Sequence, residues 1–190
     1  MYEFIVNKEN GVFHVIIAMP YGNRNDYDDF HKSIYPVKVI DNDYGKIIVA
    51  CDATTILQQL VLTNLELFDK RQHIDFNYLK DVYVKKVDEL LKKSKIYAQK
   101  PEYNIIVISE GKAYQIFSDN GYIKEDDRLI STLRVAALYN GTFPEEKEHG
   151  KPFLEKIFNL YKLAEKEDVF PALYINTKDY RPIILRRTKL

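Results

Sequence analysis

Short apolar stretches dominate the first fifty residues, and longer stretches with helical spacing follow them. Extended apolar runs lie at residues 2–7, 12–18, 33–41 and 46–51. Asn10-Gly11 joins the first two runs, and this dipeptide favours the positive φ angles of a tight hairpin. The run at 46–51 is apolar at successive positions, so we expect both of its faces to be covered.

Two amphipathic helices are predicted after these strands. The first has apolar residues at three- and four-residue spacing over residues 56–68, with Asp52 or Thr54 as its cap. The second begins after the cap residue Asp75, and we expect Phe76 to be one of its inward residues. Two antiparallel helices of this kind can cover one face of a sheet.

The strand pattern returns in the second half of the chain. A hairpin is predicted at 103–108 and 113–118, helices at 127–139 and from 152, and strands at 172–176 and 182–185. Strands therefore come in adjacent pairs, which disfavours a doubly wound parallel sheet. We predict an α+β fold: a four-layer α-β-β-α sandwich of two mainly antiparallel sheets flanked by helix pairs, formed by one domain over 1–190.

Composition limits the possible partners. The chain has 190 residues, 46 % of them apolar, which is enough for one substantial core. Lys and Arg number 28 against 28 Asp and Glu, so we expect no nucleic-acid partner. With no long apolar stretch and no signal-peptide pattern at the start, we expect a cytoplasmic protein without a membrane segment. Cys51 is the only cysteine and no motif has metal-ligand or nucleotide-binding spacing, so we predict no metal and no cofactor.

The order and length of these segments resemble the proteasome-type amino-terminal-nucleophile (Ntn) hydrolases. The resemblance rests on a strand at the chain start, the Asn10-Gly11 turn, the segment 33–37, the strand 46–50 leading to a helix at Asp52, and the hairpin that contains 111–116. It spans nearly the whole chain and consists of order, length and local pattern rather than an invariant motif. It implies a proteasome-subunit-like fold.

The resemblance also implies where catalytic residues would be. Catalytic members of the family expose Thr, Ser or Cys as the first residue of the mature chain, and its α-amine acts as the base. This sequence begins Met1-Tyr2, and its first threonine is Thr54, in the predicted start of a helix. We therefore expect a member that lacks the nucleophile.

Other parts of that machinery are also replaced. The family's acidic residue would fall near Met19 and its basic residue near Ser33, with Lys32 one position away. The corner that donates the oxyanion hydrogen bond corresponds to residues 50–53, which contain no glycine. The resemblance therefore favours a non-catalytic protein.

Cys51, Asp52, Lys32 and Ser33 are the remaining candidates for catalysis. A thiol at a strand end beside a helix start can have a lowered pKa, although Cys51 can equally be a small buried apolar residue with Asp52 as the helix cap. Lys32 and Ser33 follow His31, which could serve as a base near a hydroxyl group, or the three can form a solvated loop edge. We favour the structural interpretation for both groups.

His14 lies in the second predicted strand. Alternation places it on one face with Val12 and Ile16, and we expect a histidine whose hydrogen bonds are satisfied within the protein rather than a catalytic one. The polar and aromatic loop 21–30 could bind a partner, although an ordinary solvent-exposed loop is favoured.

Three functions follow in order of preference. The first is a non-catalytic proteasome-subunit-like protein that acts as a homo-oligomer or through a protein partner, with contacts at apolar residues on the outside of the helices such as Leu62 and Tyr78. The second is an adaptor or regulatory module of unrelated α+β fold. The third is a divergent amide hydrolase that uses Cys51.

Overall fold

A computed structural model of the chain describes residues 3–18, 36–53, 55–94, 102–118, 121–130 and 172–185. The chain divides into two compact units. The first unit contains Met1–Tyr35 and Asp127–Leu190, and the second contains Pro36–Asp126. Each unit contains one antiparallel sheet of five strands. The predicted α+β class with two antiparallel sheets is thus confirmed.

The sheet of the first unit combines strands from both ends of the chain. Its strand order is β10-β9-β2-β1-β8, and every neighbouring pair is antiparallel. The strands are β1 (Glu3–Glu9), β2 (Val12–Ala18), β8 (Arg128–Ile130), β9 (Ala172–Asn176) and β10 (Ile183–Leu185).

The β1–β2 hairpin has the tight turn that the sequence predicts. Asn10 has φ 50° and Gly11 has φ 77°, both in the left-handed region that Asn-Gly tolerates. The two-residue turn pairs Glu9 with Val12 and therefore Asn7 with His14. The strand extends to Glu9, two residues beyond the predicted end at residue 7, because a two-residue turn leaves the preceding residues free to pair.

One face of this sheet is apolar and buried except at Lys8, whose Nζ lies 5.1 Å from the ring centroid of Phe13. It is formed by alternate residues of four strands: Phe4, Val6, Phe13, Val15, Ile17, Leu129, Leu173 and Ile175. The opposite face contains Ile5 and Ile16 together with polar residues. Alternation in β1, β2 and β9 thus gives one mainly hydrophobic face and one mixed face.

Strand β8 lies where the sequence predicted the start of a helix. The sequence suggested helix from about residue 127, but Arg128–Ile130 is a strand that pairs with Ile5, Val6 and Asn7 of β1. Three residues are too few to show the alternation of apolar and polar positions that is typical of a strand. The pairing with β1, rather than the local sequence pattern, therefore determines the structure here. Residues 131–139, where the rest of that helix was predicted, lie outside the described residues.

The sheet of the second unit has the order β3-β4-β5-β6-β7. Its strands are β3 (Val37–Asn42), β4 (Gly45–Asp52), β5 (Asn104–Ser109), β6 (Lys112–Phe117) and β7 (Ile123–Glu125). In β4, consecutive residues from Ile47 to Cys51 are all buried. The prediction that both faces of this strand are covered is confirmed.

Helices of the second unit lie against one face of its sheet. They are α1 (Thr55–Thr63), a 3₁₀ turn (Leu65–Leu67), α2 (Phe76–Tyr78), a π-helical turn (Leu79–Tyr83) and α3 (Val84–Ser94). Asp75 caps α2, as predicted, with its carboxylate 2.9 Å from the backbone nitrogen of Tyr78. Ile47, Val49 and Cys51 of β4 pack in the same core as Leu79, Tyr83 and Val87.

Three predicted positions on these helices are wrong. Leu62 and Tyr78, expected on the outer surface, are buried with 2 % and 5 % of their surface exposed. Phe76, expected to point inward, is 37 % exposed. Leu62 and Tyr78 belong to the hydrophobic core of this unit, and the Tyr78 hydroxyl group is hydrogen-bonded to the backbone of Leu67 and Asp69. Phe76 is the first residue of its helix, directly after the cap, where part of its ring stays in solvent.

Candidate functional site

Cys51 is enclosed in the second unit. It lies near the end of β4, opposite Ile105 of β5, and its side chain is fully buried. Burial, and to a lesser degree the negative charge of Asp52, raise the pKa of the Cys51 thiol. Because the thiolate is the reactive form, this environment suppresses nucleophilic chemistry. Asp52 pairs with Asn104 of β5 as the last residue of β4.

The other two residues proposed from sequence cannot be placed. Lys32 and Ser33 lie outside the described residues, as do Met19 and His31. The roles of Lys32 and Ser33 therefore stay predictions.

Tyr83 lies in the same core as Cys51. Its ring stacks on Phe68 with centroids 4.6 Å apart, and its hydroxyl group has no hydrogen-bond partner in the part of the chain that the structure describes. Burial, with smaller effects of Cys51, Tyr103 and Tyr78, raises the pKa of Tyr83 well above its usual value. A thiol and a phenol that both stay protonated make this a structural core rather than a reactive site.

A groove of about 460 Å³ lies on the surface of the second unit, between the β3–β4 turn and α2. Tyr44 stacks on His73 at its edge with centroids 3.6 Å apart, and His73 Nδ1 lies 2.6 Å from a carboxylate oxygen of Glu110. Arg71 contributes one positive charge to the lining, and Asp75 and Asp81 contribute two negative charges. The lining therefore carries charges of both signs and does not point to one class of ligand.

The first unit contains a hydrogen-bonded group centred on Tyr174. Its hydroxyl oxygen lies 2.5 Å from Nδ1 of His14 and accepts a hydrogen bond of 3.2 Å from Nδ2 of Asn176. The orientation of the Asn176 amide is fixed, because its oxygen accepts from the backbone nitrogens of Lys178 and Asp179 at 2.9 and 3.1 Å. Nδ1 of His14 thus has a hydrogen-bond partner within the protein.

This group defines the state of His14. Burial lowers the pKa of His14, against a smaller raising effect of Glu9, so the neutral ring is favoured. His14 Nδ1 and the Tyr174 hydroxyl group share one hydrogen bond, and which of the two donates depends on the tautomer of the ring.

The sequence contained part of the signal for this group. The Asn10-Gly11 turn fixes the pairing of Asn7 with His14 at short range. The partners from β9 and β8 are more than one hundred residues away along the chain. Tyr174 and Asn176 therefore could not be placed beside His14 from the sequence, nor Arg128 beside Asn7.

The described residues contain neither a candidate metal site nor a helix that could span a membrane. No group of three or more His, Cys, Asp or Glu side chains there could hold a metal ion. No helix in the described parts of the chain is both long enough and apolar enough to cross a membrane.

Known proteins match this chain in structure but not in sequence. No protein-family model and no curated protein sequence matches it. The solved structure of Anbu, the ancestral beta-subunit, from Yersinia bercovieri superposes with a TM-score of 0.62 at 8 % identity, over 98 % of this chain and 87 % of that one. This chain has the proteasome-subunit-like Ntn fold.

A second Anbu structure supports the same fold. Anbu from Hyphomicrobium sp. strain MC1 superposes with a TM-score of 0.57 at 8 % identity and covers all of this chain and 89 % of that one. The Gly-1 mutant of the same protein gives a TM-score of 0.59, also at 8 % identity, with coverage of 100 % and 89 %. The proteasome-subunit-like Ntn fold removes the alternative of an adaptor with an unrelated fold.

Proposed function

We propose that this chain is a non-catalytic proteasome-subunit-like protein that acts by assembly, with copies of itself or with a protein partner. The observation that carries this proposal is the fold shared with a protein described as an ancestral beta-subunit, over 98 % of this chain and 87 % of that one. The cytoplasmic location predicted from the sequence belongs to the same proposal and is tested by cell fractionation.

The non-catalytic part of the proposal is supported by the surroundings of Cys51. The thiol is fully buried, and its raised pKa keeps it protonated at neutral pH. A neutral, inaccessible thiol is a poor nucleophile, which counts against the amide hydrolase that would use it. We therefore rank hydrolysis below assembly.

Exposed aromatic side chains supply candidate contacts for assembly. Tyr122 is 62 % exposed and stacks on Phe117 with ring centroids 6.0 Å apart. Gly121, just before it, has φ 62° and lies so close to Val84 that a Cβ atom would approach Val84 Cγ1 to 2.9 Å. The turn that presents Tyr122 is therefore held against α3, and a rigidly presented tyrosine loses little entropy on binding.

The native mass of the full-length protein tests this proposal. Light scattering coupled to size exclusion, repeated over a wide concentration range, is expected to give a discrete multiple of 22.4 kDa. Tyr122→Ser is expected to shift the distribution toward smaller species, whereas Lys124→Ser, at a neighbouring exposed position, leaves it unchanged. A monomer at every concentration would overturn the proposal that the chain assembles with copies of itself. The chain would then be tested for a protein partner.

A further inference from the structure

Strand β3 forms an open edge of the sheet of the second unit. It pairs with β4 on one side, and no strand among the described residues pairs with its other side. β3 has six residues, whereas the strands at the other three sheet edges, β7, β8 and β10, have three residues each. A short edge strand offers few free backbone groups to another chain, so β3 is the edge best able to accept an added strand.

The turn between β3 and β4 determines which backbone groups of β3 face outward. The two-residue turn closes with the pair Asn42–Gly45, and such a closing pair is hydrogen-bonded. Hydrogen-bonded positions recur at every second residue of an antiparallel strand, and the N–H group of Cys51 accordingly donates to the carbonyl of Pro36 at 2.9 Å. The even-numbered residues of β3 therefore direct their backbone groups to β4. The residues whose backbone groups face outward are Val37, Val39 and Asp41.

The open part of this edge has a defined end. The next outward N–H group, that of Asp43, is already used, because it donates to the carbonyl of Lys70 at 2.9 Å. The outward backbone groups of Val39 and Asp41 have no hydrogen-bond partner among the described residues. Val39 is half-buried and Asp41 is exposed, whereas Val37 is buried. The open part of the edge is thus residues 37–41, with Val39 at its centre.

A second copy of the same strand is complementary to this open part. Antiparallel pairing about a two-fold axis at Val39 places Val39 opposite Val39 of the second copy, and Val37 opposite Asp41 at both ends. Every outward residue then meets an outward residue. Because each hydrogen-bonded pair exchanges two bonds, the three pairs give about six main-chain hydrogen bonds.

The charges along β3 favour this register over its neighbours. Lys38 lies opposite Ile40 of the second copy, so no two like charges are directly opposite, an arrangement that destabilises paired strands. A shift of two residues in one direction places Lys38 opposite Lys38 of the second copy. A shift of two residues in the other direction places Val37 opposite Asp43, whose N–H group is bonded to Lys70. Only the register centred on Val39 avoids both conflicts.

We propose that two copies of this chain pair through β3, antiparallel about a two-fold axis at Val39. The two five-stranded sheets of the second units then become one continuous sheet. This inference rests on the self-association form of the assembly proposed above, and it names a contact for that assembly that is separate from Tyr122. Because a two-fold contact is closed by two copies, an assembly that contains it has an even number of copies.

Amide hydrogen exchange of the full-length protein tests this pairing without any substitution. Exchange is followed residue by residue by nuclear magnetic resonance, and the native mass of each sample is measured by light scattering over a wide concentration range. We expect exchange at the outward amides of Val39 and Asp41 to slow by at least about tenfold as the mass rises. The amides of Lys38 and Ile40 bond to β4 and serve as the internal control, because they are protected even at the lowest concentration.

Two substitutions at Asp41 separate the backbone contact from the side chain. Asp41→Pro removes the outward N–H group and leaves the hydrogen bonds to β4 intact, since proline is tolerated in edge strands where the N–H group faces solvent. We expect it to raise the dissociation constant of the pair by at least about tenfold. Asp41→Ala is the matched control: it loses the same carboxylate and its ion pair with Lys46 but keeps the N–H group, so association is unchanged. The exchange measurement holds even where Asp41→Pro does not fold.

Failure of the β3 contact can be told from failure of the assembly. Exchange at Val39 and Asp41 that does not depend on concentration would overturn pairing through β3, as would equal association of the Asp41→Pro and Asp41→Ala variants. If the native mass still rises in those cases, the chain assembles through another contact and the proposed function stands. A single-copy mass at every concentration would overturn both the β3 pairing and self-association.

Discussion

The hydroxyl group of Tyr78 donates a hydrogen bond of 2.9 Å to the backbone carbonyl of Leu67. The same oxygen accepts a hydrogen bond of 2.9 Å from the backbone nitrogen of Asp69. Tyr78 therefore satisfies two backbone groups of the segment between α1 and α2. This explains why a residue expected on the outer surface is buried: its hydroxyl group is fully paired, so its ring can be covered without an energetic penalty.

Tyr78→Phe is expected to destabilise the protein. The substitution keeps the ring but leaves the carbonyl of Leu67 and the N–H of Asp69 without their partner, at a cost of about 1–3 kcal/mol in the free energy of unfolding. Urea unfolding should show a lower midpoint with an unchanged slope. An unchanged midpoint would mean that water replaces the hydroxyl group without loss.

Tyr83→Phe is the matched substitution with the opposite expectation. The Tyr83 hydroxyl group is buried and has no hydrogen-bond partner among the described residues, so removing it relieves the cost of burying a polar group. We expect the same or a higher urea midpoint, by up to about 1 kcal/mol in the free energy of unfolding. A clear loss of stability would show that the hydroxyl group has a partner that matters.

Cys51 should resist alkylation in the folded protein. Burial and the charge of Asp52 raise the pKa of its thiol, and the side chain is inaccessible. With iodoacetamide at pH 7.5, we expect modification at least about tenfold slower than in the urea-unfolded chain, followed by intact mass. Rapid modification of the native protein would revive the hydrolase hypothesis.

The local sequence pattern was sufficient to predict the elements that depend on residues close together along the chain. The Asn10-Gly11 turn, the capping of α2 by Asp75 and the strand 172–176 are all confirmed. Each depends on residues within a few positions of one another, where turn and capping chemistry is specific. The pairing of strands into two sheets followed from their order along the chain.

Features that depend on distant residues could not be predicted in this way. Strand β8 exists because Arg128–Ile130 pairs with β1. Its three residues are too few to show the alternation by which a strand is recognised in a sequence. The burial of Tyr78 depends on hydrogen bonds from its hydroxyl group to the backbone at Leu67 and Asp69, about ten residues earlier in the chain. The pairs that Asn7 forms with His14 and Arg128, and that His14 forms with Asn176, need the register of four strands, of which only the Asn7–His14 pair is determined locally.

Asp75→Ala is expected to destabilise the helix that it caps. The Asp75 carboxylate lies 2.9 Å from the backbone nitrogen of Tyr78, and loss of such a cap costs about 1 kcal/mol in the free energy of unfolding. Asp75→Asn should retain most of the stability because an amide oxygen also accepts. Asp81→Ala, at an exposed position, controls for the loss of a negative charge, and equal losses in all three variants would contradict a capping role.

His14 should make the stability depend on pH in the weakly acidic range. Burial lowers the pKa of His14 in the folded protein from its usual value of about 6.5, so the unfolded chain binds a proton that the folded chain resists. The contribution is fully present above pH 6.5 and is lost as the pH falls toward the folded pKa. Protonation also places a hydrogen on Nδ1, which can no longer accept from Tyr174. We expect His14→Gln to reduce the loss of stability between pH 7 and 5.5, measured by urea unfolding at each pH. Parallel losses in both proteins would mean that other groups cause the effect.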